Sequence, residues 1–202
     1  MEEKIVKKKT LFKALVTAML VTVFCSSAYA DQFAYNYYSS PYITPADSAI
    51  PTNMFFFATA SSEYHLKYNS EYEVSADMAV DGDLKTAWNE GASGTGVGEW
   101  IMLTPADGRT YTYLGFHIAN GFQYHDYYKG DRWEKNNRVK YLQVFDERNN
   151  IIGVFQISDI SDGYQTFYFN TPVTARALKF QIMGVWKGEQ HPEACISELR
   201  PF

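Results

Sequence analysis

Two carboxylates flank a glycine in Asp81-Gly82-Asp83, a threonine follows at Thr86, and a tryptophan closes the segment at Trp88. Ca²⁺ takes about six to eight hard oxygen ligands from carboxylates, carbonyls and hydroxyls. Asp81, Asp83, the Thr86 hydroxyl and neighbouring main-chain carbonyls form such a donor set, and Gly82 permits the bend that gathers them. The spacing and terminal Glu of an EF-hand are missing. The alternative is a metal-free loop in which Asp81 caps its own turn.

A second chemistry lies in two loops rich in aromatic and amide groups. Residues Asn120 to Arg138 include Tyr124, His125, Tyr127, Tyr128, Trp133, Asn137 and Arg138, and Val185 to Glu193 include Trp186, Gln190 and His191. A sugar presents apolar C–H faces and many hydroxyls, so its sites pair a stacking ring with Asn, Arg, Asp or Glu side chains. Glu90, Tyr127, Trp133, Asn137, Arg138 and Trp186 are the candidate ligand contacts, with Asn89 beside Glu90. Trp88 and Trp100 are expected in the core, and Trp133 and Trp186, flanked by Arg132, Glu134 and Lys187, at the surface. Asn120 and the Asn136-Asn137 pair have a competing role in fixing turns.

These residues need a scaffold, and the pattern from Phe55 onward is one of strands. Trp100 to Leu103, Tyr111 to Ile118, Val139 to Phe145, Ile151 to Ile157, Tyr164 to Phe169, Ala177 to Met183 and Ala194 to Leu199 read as strands. Turn chemistry at Asp107-Gly108, Asn149-Asn150 and Asp162-Gly163 separates several of them. Glu73 to Val80 offers one helical turn at most, and His117 falls inside a strand. Many short strands with such turns predict a β-sandwich or barrel.

The sequence A-x-D-G-x-x-x-T-x-W at Ala79 to Trp88, with Ile196-Ser197-Glu198-Leu199 near the end, resembles the discoidin, or coagulation-factor C-type, galactose-binding-like domain. Thr86 to Gly91, the Gly94-x-Gly96-x-Gly98-Glu99-Trp100-Ile101 run, Asn120-Gly121-Phe122 and Asn136 to Lys140 are similar to the discoidin-like domain attached to streptococcal NAD glycohydrolase. The resemblance covers residues 56–202. It implies an all-β, eight-stranded antiparallel jelly-roll sandwich with binding loops at one end. It also implies a structural Ca²⁺ held by the Ala79 and Asp83 carbonyls, the Asp81 carboxylate, Thr86 and Glu198. Within this family Arg138 has the alternative of bracing its loop from below.

Residues 1–30 read as a secretory signal peptide: Lys4, Lys7, Lys8, Lys9 and Lys13, an uncharged stretch from Ala14 to Cys25, and an Ala28-Tyr29-Ala30 cleavage site. The apolar run is shorter than a membrane span. Residues 31–55 read as an extended Tyr/Ser/Pro-rich leader. Cleavage leaves Cys195 as a single thiol, expected to be a small buried residue with no disulfide.

Across the full chain, 18 Lys+Arg stand against 23 Asp+Glu, a net charge of −5. That balance argues against a nucleic-acid partner, which needs a basic face. Aromatic residues make up 17% of the chain, and charged residues, at 20%, are consistent with a folded domain. There is no G-x-S-x-G elbow, and His65, His125 and His191 lack zinc-enzyme spacing. Asp81, Glu90, Glu99 and Asp126 are available for a two-carboxylate hydrolase, the minority reading beside binding. The expectation is an exported, non-catalytic glycan-binding module. The rival classes are a protein–protein subunit using the same loops and an outer-membrane barrel, which the Asp/Gly/Asn-rich loops fit poorly.

Overall fold

The computed structural model describes residues 42–44 (backbone), 55–65, 74–128, 130–161 and 163–202. The signal peptide and most of the leader, expected over 1–30 and 31–55, lie outside the described residues.

Eight strands of five residues or more carry the domain: β2 (Phe56–Ala60), β4 (Trp100–Pro105), β5 (Tyr111–Asn120), β8 (Asn137–Asp146), β9 (Ile151–Gln156), β10 (Tyr164–Ala175), β11 (Leu178–Trp186) and β12 (Ala194–Pro201). Shorter pieces are β1 (Tyr42–Thr44), β3 (Trp88–Asn89), β6 (His125–Asp126) and β7 (Gly130–Asp131). Two single turns complete the described elements, a 3₁₀ turn at Ala76–Ala79 and helix α1 (Arg132–Lys135). The order along the hydrogen-bonded path is β1-β10-β5-β12-β8-β11-β4-β2, with β9 on β8 and β3 on β12. Every pairing in it is antiparallel except a two-residue parallel contact, Ala194↔Asn137 and Cys195↔Arg138, where the path folds over between β12 and β8.

The alternation along the strands shows why the sheet folds this way. In β4 the residues Ile101, Leu103 and Pro105 are buried while Trp100, Met102 and Thr104 are not. The buried set meets its counterparts from the other layer: Phe116 of β5 lies edge-on to Phe155 of β9 and Phe180 of β11, both about 5 Å away between centroids. Each such buried ring removes enough apolar surface to contribute roughly 1.5–3 kcal/mol. Trp88 is fully buried, as expected. Trp100 is not core, because the β4 alternation turns it to the outer face, where it is half-buried.

The turns match their chemistry. Gly108 and Gly163 take positive φ, and Asn149 is the only non-glycine among the described residues to do so, at 64°. One end of the sandwich collects the loops before β4, between β5 and β8, and between β11 and β12. The described strand of the leader, β1, pairs with Tyr164–Thr166 of β10.

Candidate ligand-binding site

The long connection from β5 to β8 is held by its own amides. Asn120, fully buried, donates from its side chain to the Val139 carbonyl and accepts from the Val139 N–H, both at 2.9 Å. This two-point clamp closes the loop at its root. Above it, β6 and β7 form a two-residue hairpin whose tip carries Tyr127 and Tyr128, 87% and 92% exposed, with their rings at right angles. Asp131 caps α1 by accepting from the Trp133 N–H at 2.8 Å.

Arg138 sits under this loop. Its guanidinium makes a bidentate pair with Asp159, 2.9 Å on each arm, and donates to the carbonyls of Trp133, Asn136 and Lys187. It also lies 4.2 Å from the Trp133 ring centroid. The Trp133 indole N–H donates to the Asn120 carbonyl at 3.1 Å. Trp186 is similar: its N–H donates to the Ile157 carbonyl, and Lys140 lies over its ring at 4.2 Å. Both tryptophans are half-buried parts of the loop framework rather than bare surface platforms.

Asn137 ties in the second loop, accepting from Gly188 N–H at 2.8 Å and donating to Pro192 carbonyl at 2.6 Å. The loop then lies against the end of α1, with Gln190 and His191 N–H groups donating to the Lys135 carbonyl. A side chain at Gly188 would fall 2.4 Å from the Asn136 carbonyl group, so glycine alone allows this approach. Glu90, also fully buried, accepts from the N–H groups of Ala92 and Ala194. Burial pushes its carboxyl above the ordinary range, and those two hydrogen bonds offset part of the rise. Of the six ligand contacts expected from sequence, Glu90, Asn137 and Arg138 thus have their polar groups engaged inside the protein.

What the two loops enclose is a cavity of about 240 Å³. Its lining joins Tyr64 and Val74 with Asn89, with Phe122, Arg132 and Asn136 from the first loop, and with His191 and Glu193 from the second. Asn89, Phe122 and Asn136 are more than nine-tenths buried. The loops were legible in the sequence; Tyr64, Val74 and Arg132 were not singled out as lining. An aromatic wall beside amides, an arginine, a histidine and a carboxylate can receive a polyhydroxylated ligand with an apolar face.

The loop at Asp81 is ordered by the residues expected there. Asp81 accepts from Asp83 N–H and from the Thr86 hydroxyl, and that hydroxyl lies 2.8 Å from both the Asp81 carboxylate and the Asp83 carbonyl. Glu198, fully buried, accepts from Gly82 N–H and pairs with Arg200 at 2.7 Å. Burial raises the Glu198 carboxyl to about 7, against the lowering effect of Arg200. Ala79 ends the 3₁₀ turn beside them. Among the described residues no three His, Cys, Asp or Glu side chains share one point, so a cation here would rely on carbonyl and hydroxyl oxygens as well. The Thr86 hydroxyl, 2.8 Å from the Asp81 carboxylate and 2.8 Å from the Asp83 carbonyl, together with Glu198 tied to Gly82, supplies hard oxygens that fit the donor chemistry of Ca²⁺.

Cys195 is buried in the strand β12. Burial holds its thiol well above its usual value, against the lowering effect of Arg132 and Arg138.

Among solved structures, the family 32 carbohydrate-binding module of C. perfringens NanJ, in complex with galactose, is similar in fold. It has a TM-score of 0.52 and 16% identity over 72% of this chain and 92% of that one. A third such module from a Clostridium perfringens family 31 glycoside hydrolase gives 0.52 and 17% over 74% and 90%. The C-terminal domain of a chitobiase from Bacteroides fragilis gives 0.51 and 19% over 73% and 92%. No curated protein matches in sequence. The model of the NAD glycohydrolase translocation F5/8 type C domain matches residues 52–200, almost the whole of the sandwich, and the chain belongs to that family.

Proposed function

We propose that this domain is an exported, non-catalytic glycan-binding module whose ligand occupies the cavity between the two loops. The lining carries the reading: Tyr64 and Phe122 offer ring surfaces, and Asn89, Asn136, Arg132, His191 and Glu193 offer donors and acceptors around a volume of about 240 Å³. The NanJ module, of the same fold, is a carbohydrate-binding protein solved with galactose. Glu90, Asn137 and Arg138 serve the site by fixing its loops, while Tyr127, Trp133 and Trp186 are the candidates for contacts outside the cavity. A glycan array run with the full-length protein tests this. Selective binding that falls at least about tenfold in Arg132→Ala and His191→Ala supports it; a blank array with folded protein contradicts it.

The second reading is a protein–protein module, and the Tyr127–Tyr128 pair favours it, since two almost fully exposed tyrosines side by side are typical interface anchors. A blank array together with loss of partner capture in a Tyr127→Ala/Tyr128→Ala variant is its signature.

We further propose a structural Ca²⁺ held by the Ala79 and Asp83 carbonyls, the Asp81 carboxylate, Thr86 and Glu198. When bound, the ion ties the Asp81 loop to β12. An ion at a hundred times its Kd stabilises the folded chain by about 2.7 kcal/mol. The expected outcome is a thermal midpoint several degrees higher in Ca²⁺ than in chelator, with the difference abolished in Asp81→Ala. Equal midpoints favour the self-capped loop.

A further inference from the structure

Resting on the glycan reading above, we propose that the cavity selects N-acylated amino sugars, and that the acetamido group is the part of the ligand that enters it. The inner lining is two-natured. Val74 and Phe122 are 6% and 3% exposed and make an apolar wall, backed by Ala87, Cys195 and the partly buried Tyr124. Beside them stands Asn89, 7% exposed, whose side-chain oxygen is buried without a hydrogen-bond partner among the described residues. Its backbone is fully engaged: the N–H donates to Val74 carbonyl and the carbonyl accepts from Tyr64 N–H.

The other buried amides at this end behave differently. Asn120, Asn136 and Asn137 each hydrogen-bond to the protein's own backbone. Asn89 alone among these four carries a buried side-chain oxygen left unanswered among the described residues, and a buried polar atom without a partner lowers stability. Such a group persists where a ligand completes it.

The chemistry of the completing group follows from its surroundings. A hexose hydroxyl can answer an amide but gives nothing to Val74 and Phe122. An acetamido group presents a methyl, an N–H and a carbonyl on one planar unit, so it can fill the apolar wall and pair with a carboxamide together. Asn89 is then a specificity-determining residue: the acetamido group pairs with its carboxamide and covers Val74 and Phe122 in one pose, whereas a hexose hydroxyl that reaches the carboxamide leaves that apolar wall uncovered.

Saturation-transfer NMR and titration of the full-length protein with N-acetylglucosamine, N-acetylgalactosamine, glucose and galactose test the inference. An acetamido sugar is expected to bind at least about tenfold more tightly than its parent hexose, with the methyl protons receiving the strongest saturation. Asn89→Leu removes the carboxamide at similar volume. It is expected to cut the preference below about threefold while leaving the thermal midpoint unchanged or higher, the reverse of what a structural amide would do. Phe122→Leu, which widens the wall but keeps it apolar, is expected to reduce the preference independently. Equal binding of parent hexoses, saturation centred on ring protons, or array hits lacking acetamido sugars overturn this inference and leave the glycan reading standing. A lowered midpoint in Asn89→Leu with the preference intact overturns the role given to Asn89. A blank array overturns both readings.

Discussion

At the scale of single residues, neighbours in sequence divide the work between support and contact. Asn89 and Asn136 line the cavity, while Glu90 and Asn137, one position on, turn to the backbone of adjoining loops. Side chains in extended backbone alternate sides, so a one-residue difference moves a group from the ligand face to the supporting face. The sequence displayed the residue types at these places but not which of each pair faced inward. Arg138 is the clearest support: it answers Asp159, three carbonyls and the Trp133 ring at once. Arg138→Ala is expected to lower unfolding stability by about 3 kcal/mol. Arg138→Lys should recover less than half of that, because an ammonium cannot reproduce the fork. Urea denaturation of the three proteins checks both, and equal midpoints would show the brace to be dispensable.

At the scale of elements, the long strands β4, β5 and β8 to β12 were readable because each alternates cleanly or ends in recognisable turn chemistry. The two-residue β6–β7 hairpin and the single turn of α1 were not readable. They have too few residues to display a period, and their order comes from the local cap by Asp131 and from Asn120 and Arg138 of the flanking strands β5 and β8. Trp100 misleads for a related reason: tryptophan suggests core, but its place in the β4 alternation decides. Gly121 shows how tightly the loop is seated. It has φ of 76°, and an added Cβ would lie 2.6 Å from both the Arg138 and Trp133 side chains. Gly121→Ala is therefore expected to destabilise by more than about 1 kcal/mol and to weaken glycan binding together with it. Thermal unfolding and array binding of the variant measure the pair; an unchanged midpoint would contradict this packing.

At the scale of the molecule, the two layers meet around Phe116, and the chain end closes over the outside of β5. The Phe202 ring stacks on His117 at 4.4 Å between centroids, and His117 Nδ1 shares a 2.8 Å hydrogen bond with the Thr166 hydroxyl. Burial, and then the charge of Arg200, lowers His117 to about 4 from 6.5. The unfolded chain thus takes up the proton first as pH falls. The stability this histidine contributes is complete above about pH 6.5 and is lost as pH drops toward 4. Between pH 7.5 and pH 5 the loss is expected to be about 2 kcal/mol, and His117→Gln should remove that part of the pH dependence. Denaturation midpoints at the two pH values decide it. The sandwich itself was legible as a whole from the Asp81 loop and the Ile196–Glu198 ending, because those residues join the two ends of the domain through Gly82 and Glu198.

The proposed glycan site is the loop-end cavity. Mapping amide chemical-shift changes while an array-selected glycan is titrated into the isotope-labelled protein tests it most directly. Saturable shifts are expected to concentrate at Asn89, Phe122, Arg132, Asn136, His191 and Glu193, which line the cavity with Tyr64 and Val74. Shifts confined to Tyr127 and Tyr128 or to the outer sheet faces, with the cavity residues unmoved, would contradict it.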